Sequence, residues 1–373
     1  MAGTAPPRWF HPLVGADRAT LRWALSANGP ISPDRRAAVW ATRLGAAYRR
    51  PFVALEKRRV RRRLTEAPPM APPVFIVGHW RSGTTHLYNV LSRSPQWGWV
   101  PPFAAALPWD FLGITGPIRT ILEEHLPSDR LIDNIPVTPD SPQEDELPLA
   151  LMTSVSYYHG LFFPSRFEEH FNRGIFFDGC TEEEIAEWRA AFGYFLSKVA
   201  LIRPGRPLLL KNPVHSARIP LLRAMWPDAK FIHIHRNPFV VYPSTRRTFA
   251  TLLNSFALQD PTRVDLDRIV LDLYPRLMDR LLTDAAQLPE SQYAEIRFED
   301  FERQPIAELK RVYGTLGLPG WPEAERHFQV YLDGIRGYAK NRHRYPPDEL
   351  DRVGRHWGAL IDRWGYAPPA GQG

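Results

Sequence analysis

Gly78-His79-Trp80-Arg81-Ser82-Gly83-Thr84-Thr85 follows directly on the apolar run Val74-Phe75-Ile76-Val77. Two glycines and three hydroxyl residues at the start of a helix form a nest of backbone N–H groups, which is chemistry for holding phosphate. The spacing is that of a Walker A loop, G-x-x-x-x-G-K-[ST], but Thr84 stands where the lysine belongs and the cation has moved forward to Arg81. Phosphate binding survives that exchange. The tie to a β,γ-phosphate and its magnesium weakens, and the later strand Phe231-Ile232-His233-Ile234-His235-Arg236 carries no Walker B aspartate. ATP or GTP hydrolysis is therefore disfavoured.

A second anion site is written in "HRNPFVVYPST". Arg236 closes a strand and Ser244 lies eight residues later, two turns into the following helix, so a guanidinium and a hydroxyl can converge on one further phosphate. Two phosphate sites imply a doubly phosphorylated nucleotide.

These groups need a frame to hold them. Val74–Val77 leads into a helix predicted over Thr85–Ser92, and the same strand, turn and helix order recurs three times. Leu208-Leu209-Leu210 is followed by Lys211-Asn212-Pro213 and a helix from about 216 to 225; Phe231–His235 is followed by a helix over about 239–249; Glu295–Phe298 leads to a helix near 306–316. Alternating strands and helices predict an α/β fold, a P-loop-like parallel sheet flanked by helices. Ligands in such sheets bind beyond the carboxyl ends of the strands, where Gly78–Thr85, Lys211–His215 and Arg236–Ser244 all fall.

Two further regions flank this core. Residues 1–70 read as a basic helical N-terminal extension and linker, with the densest charge at Lys57-Arg58-Arg59-Val60-Arg61-Arg62-Arg63 and a close on "TEAPPMAPP". Residues 71–373 read as the α/β domain, with a proline- and aromatic-rich irregular insertion over about 97–205 assigned to a substrate pocket or lid. The net charge of +7 suggests anionic partners, either a nucleotide or an acidic membrane surface. Nucleic acid is not expected, since no zinc-finger or aromatic-basic strand motif is present. No apolar run is long enough to span a membrane and no secretory leader is evident, which predicts a cytoplasmic protein, with peripheral contact at the inner membrane face left open. A lone cysteine, Cys180, precludes an internal disulfide and any cysteine-built zinc site.

Arg81-Ser82-Gly83-Thr84-Thr85 and Arg236 with Ser244, together with "RFEDFERQP" from Arg297 to Pro305, resemble the sulfotransferases that use 3′-phosphoadenosine 5′-phosphosulfate (PAPS), and the bacterial branch in particular. The resemblance runs from about Pro73 to Leu318. It implies that Arg81, Ser82, Gly83, Thr84 and Thr85 bind the 5′-phosphosulfate, that Arg236 and Ser244 bind the 3′-phosphate, and that sulfuryl passes to a hydroxyl acceptor without a metal. It further makes Lys211 a second cation at the reacting group and makes Arg342 and Arg344, in "YAKNRHRYPPDEL", candidates for a loop closing over the 3′-phosphate. The animal cytosolic branch carries lysine and tryptophan where this chain has Arg81 and His86, so a stacking role for His86 on adenine is not carried over.

A base must take the acceptor's proton. In the animal cytosolic branch a histidine lies two residues after the strand-end lysine, but position 213 here is proline, and His215 is the nearest replacement. "DSPQEDEL" offers Glu144, Asp145 and Glu146; Glu144 is placed first and His215 second. His233 and His235 share a strand face, and because no acidic third ligand is seen they are read as structural rather than as a metal pair. Trp97, Trp99, Phe103, Trp109, Tyr157, Tyr158, Phe162 and Phe163 suggest an apolar acceptor such as a lipid or glycolipid, with core packing as the competing explanation. Two rivals remain: a P-loop nucleotide kinase or NTPase, and a non-catalytic nucleotide-binding, membrane-docking protein.

Overall fold

The computed structural model describes residues 11–113, 138, 140–335 and 346–369, which fall into two compact units. One unit, Pro72–Trp97 with Pro207–Phe249 and Asp265–Gly373, holds a parallel sheet of four strands. They are β1 (Val74–Val77), β2 (Leu209–Lys211), β3 (Lys230–His235) and β4 (Tyr293–Arg297), in the order β2-β1-β3-β4. β1 is an unbroken apolar run, and both it and β2, which ends in Lys211, are buried along their whole length, as strands covered by helices on both faces must be. β4 alternates instead, burying Ala294 and Ile296 between the half-buried Tyr293, Glu295 and Arg297. Phe75 stacks on Phe231 across the β1–β3 pair with ring centroids 5.5 Å apart.

The elements sit close to the sequence expectation, with three instructive shifts. The helix expected from 216 is broken into a 3-10 turn, Pro213–Ala217, and a helix, Ile219–Met225. Pro220 lies in the first turn of that helix, where its fixed φ starts a helix but does not continue one. β4 stops at Arg297, one residue early, because Phe298–Arg303 is already helical, with Glu299 and Asp300 favoured by its N-terminal dipole. The helix after β3 begins at Pro238 and runs on to Phe256.

The other unit is Met1–Ala71 with Gly98–Arg206 and Ala250–Val264. The N-terminal helices Arg18–Ala27 and Arg36–Glu66 belong to it together with the insertion. That insertion is not the irregular segment the prolines suggested, for its described part holds the helices Tyr158–Phe162, Phe167–Phe176 and Glu182–Ala200. Prolines end short helices rather than abolishing them, and Glu182–Ala200 has a full capping box from Thr181 and Glu184. Two buried ion pairs bind the long helix into this unit. Arg49 meets Asp110, with Nε donating to Oδ2 at 3.0 Å, and Glu56 meets Lys198 at 2.5 Å. Lys198 also donates to the carbonyl of Pro108 at 2.7 Å and lies over the Phe111 ring. Phe162, Phe163, Phe171, Trp188 and Phe195 are buried aromatic side chains of the same unit.

Candidate active site

Each reactive group in the sheet unit stands where a strand ends. β1 ends at Gly78, whose φ of 136° suits glycine alone; a Cβ there would lie 2.3 Å from the Ile234 carbonyl oxygen. The loop is pinned from β2's side, since Gly78 N–H donates to Ser216 Oγ at 2.9 Å. Gly83 caps the helix Thr84–Leu91 in the left-handed region at φ 93°, and a Cβ would meet Phe298 Cδ2 at 2.2 Å. The helix N-terminus thus presents the positive end of its dipole, with Ser82 and Thr84 buried and Arg81 and Thr85 half-buried around it.

Arg81 itself adopts φ 68°, a conformation that L-residues other than Asn and Asp rarely take. Its Nε donates to Ser244 Oγ at 2.9 Å, so residues from the two phosphate motifs meet directly. Thr245 Oγ donates to the Trp80 carbonyl at 3.3 Å, tying the helix after β3 to the loop a second time. Arg236 lies over the face of Phe298, guanidinium carbon to ring centroid 4.3 Å. Phe298 therefore touches the glycine of one motif and the arginine of the other.

Behind Arg236 a polar network fixes the end of β3. Asn237 N–H donates to Glu299 Oε1 at 3.0 Å, and Tyr366 O–H donates to Glu299 Oε2 at 3.0 Å. His235 Nδ1 lies 2.9 Å from the same hydroxyl, and its ring stacks on Trp364 with centroids 4.5 Å apart. Burial pushes His235 down to about 3, which keeps it neutral. Burial and the Glu299 carboxylate together push the Tyr366 phenol up. His233 and His235 do have an acidic neighbour, which the sequence pattern did not show: Glu295 on β4 approaches them at 3.0 and 3.7 Å. Burial is the strongest single influence and raises that carboxyl, but hydrogen bonds from His233 and Tyr293 together with the electrostatics of the two histidine rings outweigh it and hold it at about 2. Among the described residues no group of three or more His, Cys, Asp or Glu is arranged to hold a metal ion.

Lys211 ends β2, paired in register with Ile76, and is 2 % exposed. A solvent-facing strand end would leave it open, so the ammonium has been drawn into the protein. His215 is fully buried and packs edge-on against Phe75 at 5.2 Å. His86 lies 5.3 Å from Phe301, and burial lowers its pKa. In the other unit Glu144 is half-buried, whereas Asp145 and Glu146 are fully buried at the start of the short helix Glu146–Ala150. Arg342 and Arg344 lie outside the described residues. Of the aromatics taken as hints of the acceptor, Trp97, Tyr157, Phe162 and Phe163 are core side chains at 2 % exposure or less. Trp99, Phe103, Trp109 and Tyr158 are half-buried.

Phe298, Ser216, Glu299 and Tyr366 were not assigned roles from sequence. Phe298 and Glu299 lie inside a recognised segment, and a hydrophobe between a strand-end arginine and two acids was the available signal. Ser216 and Tyr366 act through contacts that no spacing announces.

A parallel sheet with an anion nest after its first strand, and with its Walker lysine replaced, defines an α/β group-transfer enzyme built on a P-loop-like frame. The sequence model described as Sulfotransferase family matches residues 72–323, and the chain belongs to that family. It is 33% identical over 308 residues to the omega-hydroxy-beta-dihydromenaquinone-9 sulfotransferase Stf3 of Mycobacterium bovis, covering 82% of this chain and 78% of the relative. The Mycobacterium tuberculosis Stf3 matches equally. Among solved structures the fold is similar to sulfotransferase STF9 of Mycobacterium avium, with a TM-score of 0.69 and 19% identity over 93% of this chain and 92% of that one. STF1 of Mycobacterium tuberculosis follows with a TM-score of 0.62, 15% identity and coverage of 91% and 90%. The protein is thus an enzyme that moves a sulfonate group from a donor to a hydroxyl acceptor. The NTPase and non-catalytic readings fall with that assignment. Among the described residues no helix is long and apolar enough to cross a membrane.

Proposed function

We propose that the donor is PAPS and that the acceptor is a lipid-like molecule bearing a hydroxyl group. The observation that carries the donor is the hydrogen bond from Arg81 Nε to Ser244 Oγ, because it brings a residue of each phosphate motif to one place. In this reading the Gly78–Thr85 loop, with Arg81, Ser82, Gly83, Thr84 and Thr85, takes the 5′-phosphosulfate, and Arg236 with Ser244 takes the 3′-phosphate. Arg342 and Arg344 complete the grip on the 3′-phosphate. The acceptor oxygen attacks sulfur, the bond from sulfur to the 5′-phosphate oxygen breaks, and the acceptor's proton passes to a base. Arg81 and Lys211 stabilise charge on the transferring oxygens and the departing phosphate. Glu144 remains the first candidate for the base, with Asp145 and Glu146 beside it. His215, fully buried against Phe75, is the second candidate.

The lipid-like acceptor rests on Stf3, whose name gives a hydroxylated menaquinone derivative as its substrate. The exposed basic end of the helix Arg36–Glu66 supports peripheral contact with an acidic membrane, from which such an acceptor could be drawn. Calorimetric titration with 3′-phosphoadenosine 5′-phosphate tests the donor. Magnesium-free binding is expected, weakened by Arg236→Ala by more than about tenfold, the loss of one charge-assisted phosphate contact. Preference for ATP with magnesium, indifferent to Arg236, would overturn it.

A further inference from the structure

Six large hydrophobic side chains are well exposed among the described residues, and five of them lie on one helix. Trp40, Leu44, Tyr48, Phe52 and Leu55 of the helix Arg36–Glu66 are 63%, 64%, 72%, 42% and 45% exposed. Steps of four, four, four and three residues keep them on one face, a stripe about 22 Å long at the α-helical rise. The opposite face, with Thr42, Ala46, Arg49, Glu56 and Val60, is the buried one. A contiguous apolar stripe on a helix whose other side is already packed marks an interaction surface rather than scattered surface hydrophobes.

Charge says what covers it. Past Leu55 the same face continues as Arg58, Arg59 and Arg62, all exposed, and Arg43 and Arg50 run along one edge. The helix has two acids: Glu56, buried on Lys198, and Glu66, which pairs with Arg62 at its end. A second copy seated on this face would bring like charges together. An anionic bilayer instead takes apolar side chains at the headgroup boundary and basic ones on its phosphates, with Trp and Tyr suited to that interface.

We infer that this face is the surface by which the enzyme lies on an anionic membrane. Trp40, Leu44, Tyr48, Phe52 and Leu55 enter the headgroup boundary, while Arg58, Arg59 and Arg62 meet lipid phosphates. The inference deepens the lipid-like acceptor by giving the enzyme a place on the surface that would supply it, and it rests on that reading only for its biological purpose.

The test is co-sedimentation of the full chain with vesicles of phosphatidylcholine alone and of phosphatidylcholine mixed with phosphatidylglycerol. The double variants Leu44→Glu/Phe52→Glu and Arg58→Glu/Arg59→Glu are compared with wild type, and the thermal midpoint, nucleotide binding and solution mass of each are measured alongside. The wild type should sediment with the anionic vesicles, and each variant should lose more than about tenfold in vesicle affinity with midpoint and nucleotide binding unchanged. A wild type that stays in solution, or variants that sediment as it does, would overturn the inference. So would a wild-type dimer that Leu44→Glu/Phe52→Glu turns into a monomer, for then a second copy covers the face. Failure of nucleotide binding in the wild type strikes only at the donor assignment.

Discussion

Arg81 is the cation proposed to stand in for the lysine of an ordinary phosphate loop. Its φ of 68° places it in a turn that strains an L-residue by about 1–2 kcal/mol, and that turn sends its guanidinium to Ser244. Gly83 has no such latitude, because the positive φ and the Phe298 ring both forbid a side chain. Gly83→Ala should destabilise the fold by about 2–3 kcal/mol and weaken nucleotide binding; adding Phe298→Leu, which makes room but cannot relieve φ, should restore only part of the stability. Chemical unfolding of the two variants checks this. The loop could be read from sequence because it is marked by a spacing of glycines and hydroxyls along one stretch of chain. Phe298 could not, since it acts by touching Gly83 and Arg236, both remote from it in sequence. The burial of Lys211 was equally hidden, for an apolar run ending in lysine reads the same whether the ammonium points in or out.

The helices of the N-terminal extension depend on charges held away from water. Burial pushes Glu56 up and Lys198 down, and each opposes the other's shift by attraction across 2.5 Å. Removing one partner leaves a buried charge alone, so Lys198→Met should cost about 3–5 kcal/mol, and Lys198→Met with Glu56→Gln should recover much of it. Denaturant midpoints of the two variants and wild type measure the difference; equal losses in both would contradict the account. Elements with strong local signals were legible: the strands β1 to β3 and the helix Pro305–Leu316. The helical insertion was obscured by proline density, because a proline just ahead of a short helix and a proline in a loop look alike in sequence. The exposed stripe of Arg36–Glu66 was visible as periodicity, yet the pattern alone does not tell an apolar face turned inward from one turned outward.

At the scale of the whole molecule, acid should act through histidines that folding holds neutral. Burial lowers His11 and His159 from 6.5 to about 4, and His170 to about 2. In the unfolded chain these groups take up protons near pH 6.5, whereas in the fold they do so only at much lower pH. Stability is therefore unaffected above about pH 7 and falls as pH drops from 6.5 towards 4, by about 1 kcal/mol per pH unit for each such histidine. Thermal midpoints across that window should fall more steeply for wild type than for His159→Gln; parallel curves would count against the burial argument. The contact of Phe298 with both Gly83 and Arg236 has a last consequence for the molecule as a whole. Under the proposed donor reading, a rigid ring set at the end of β4 would fix the span between the two phosphate-binding motifs, so that the enzyme would measure its donor like a caliper. Nucleotides carrying one phosphate group, or two groups joined too closely, would fill one jaw and leave the other open, and length rather than base identity would do most of the choosing.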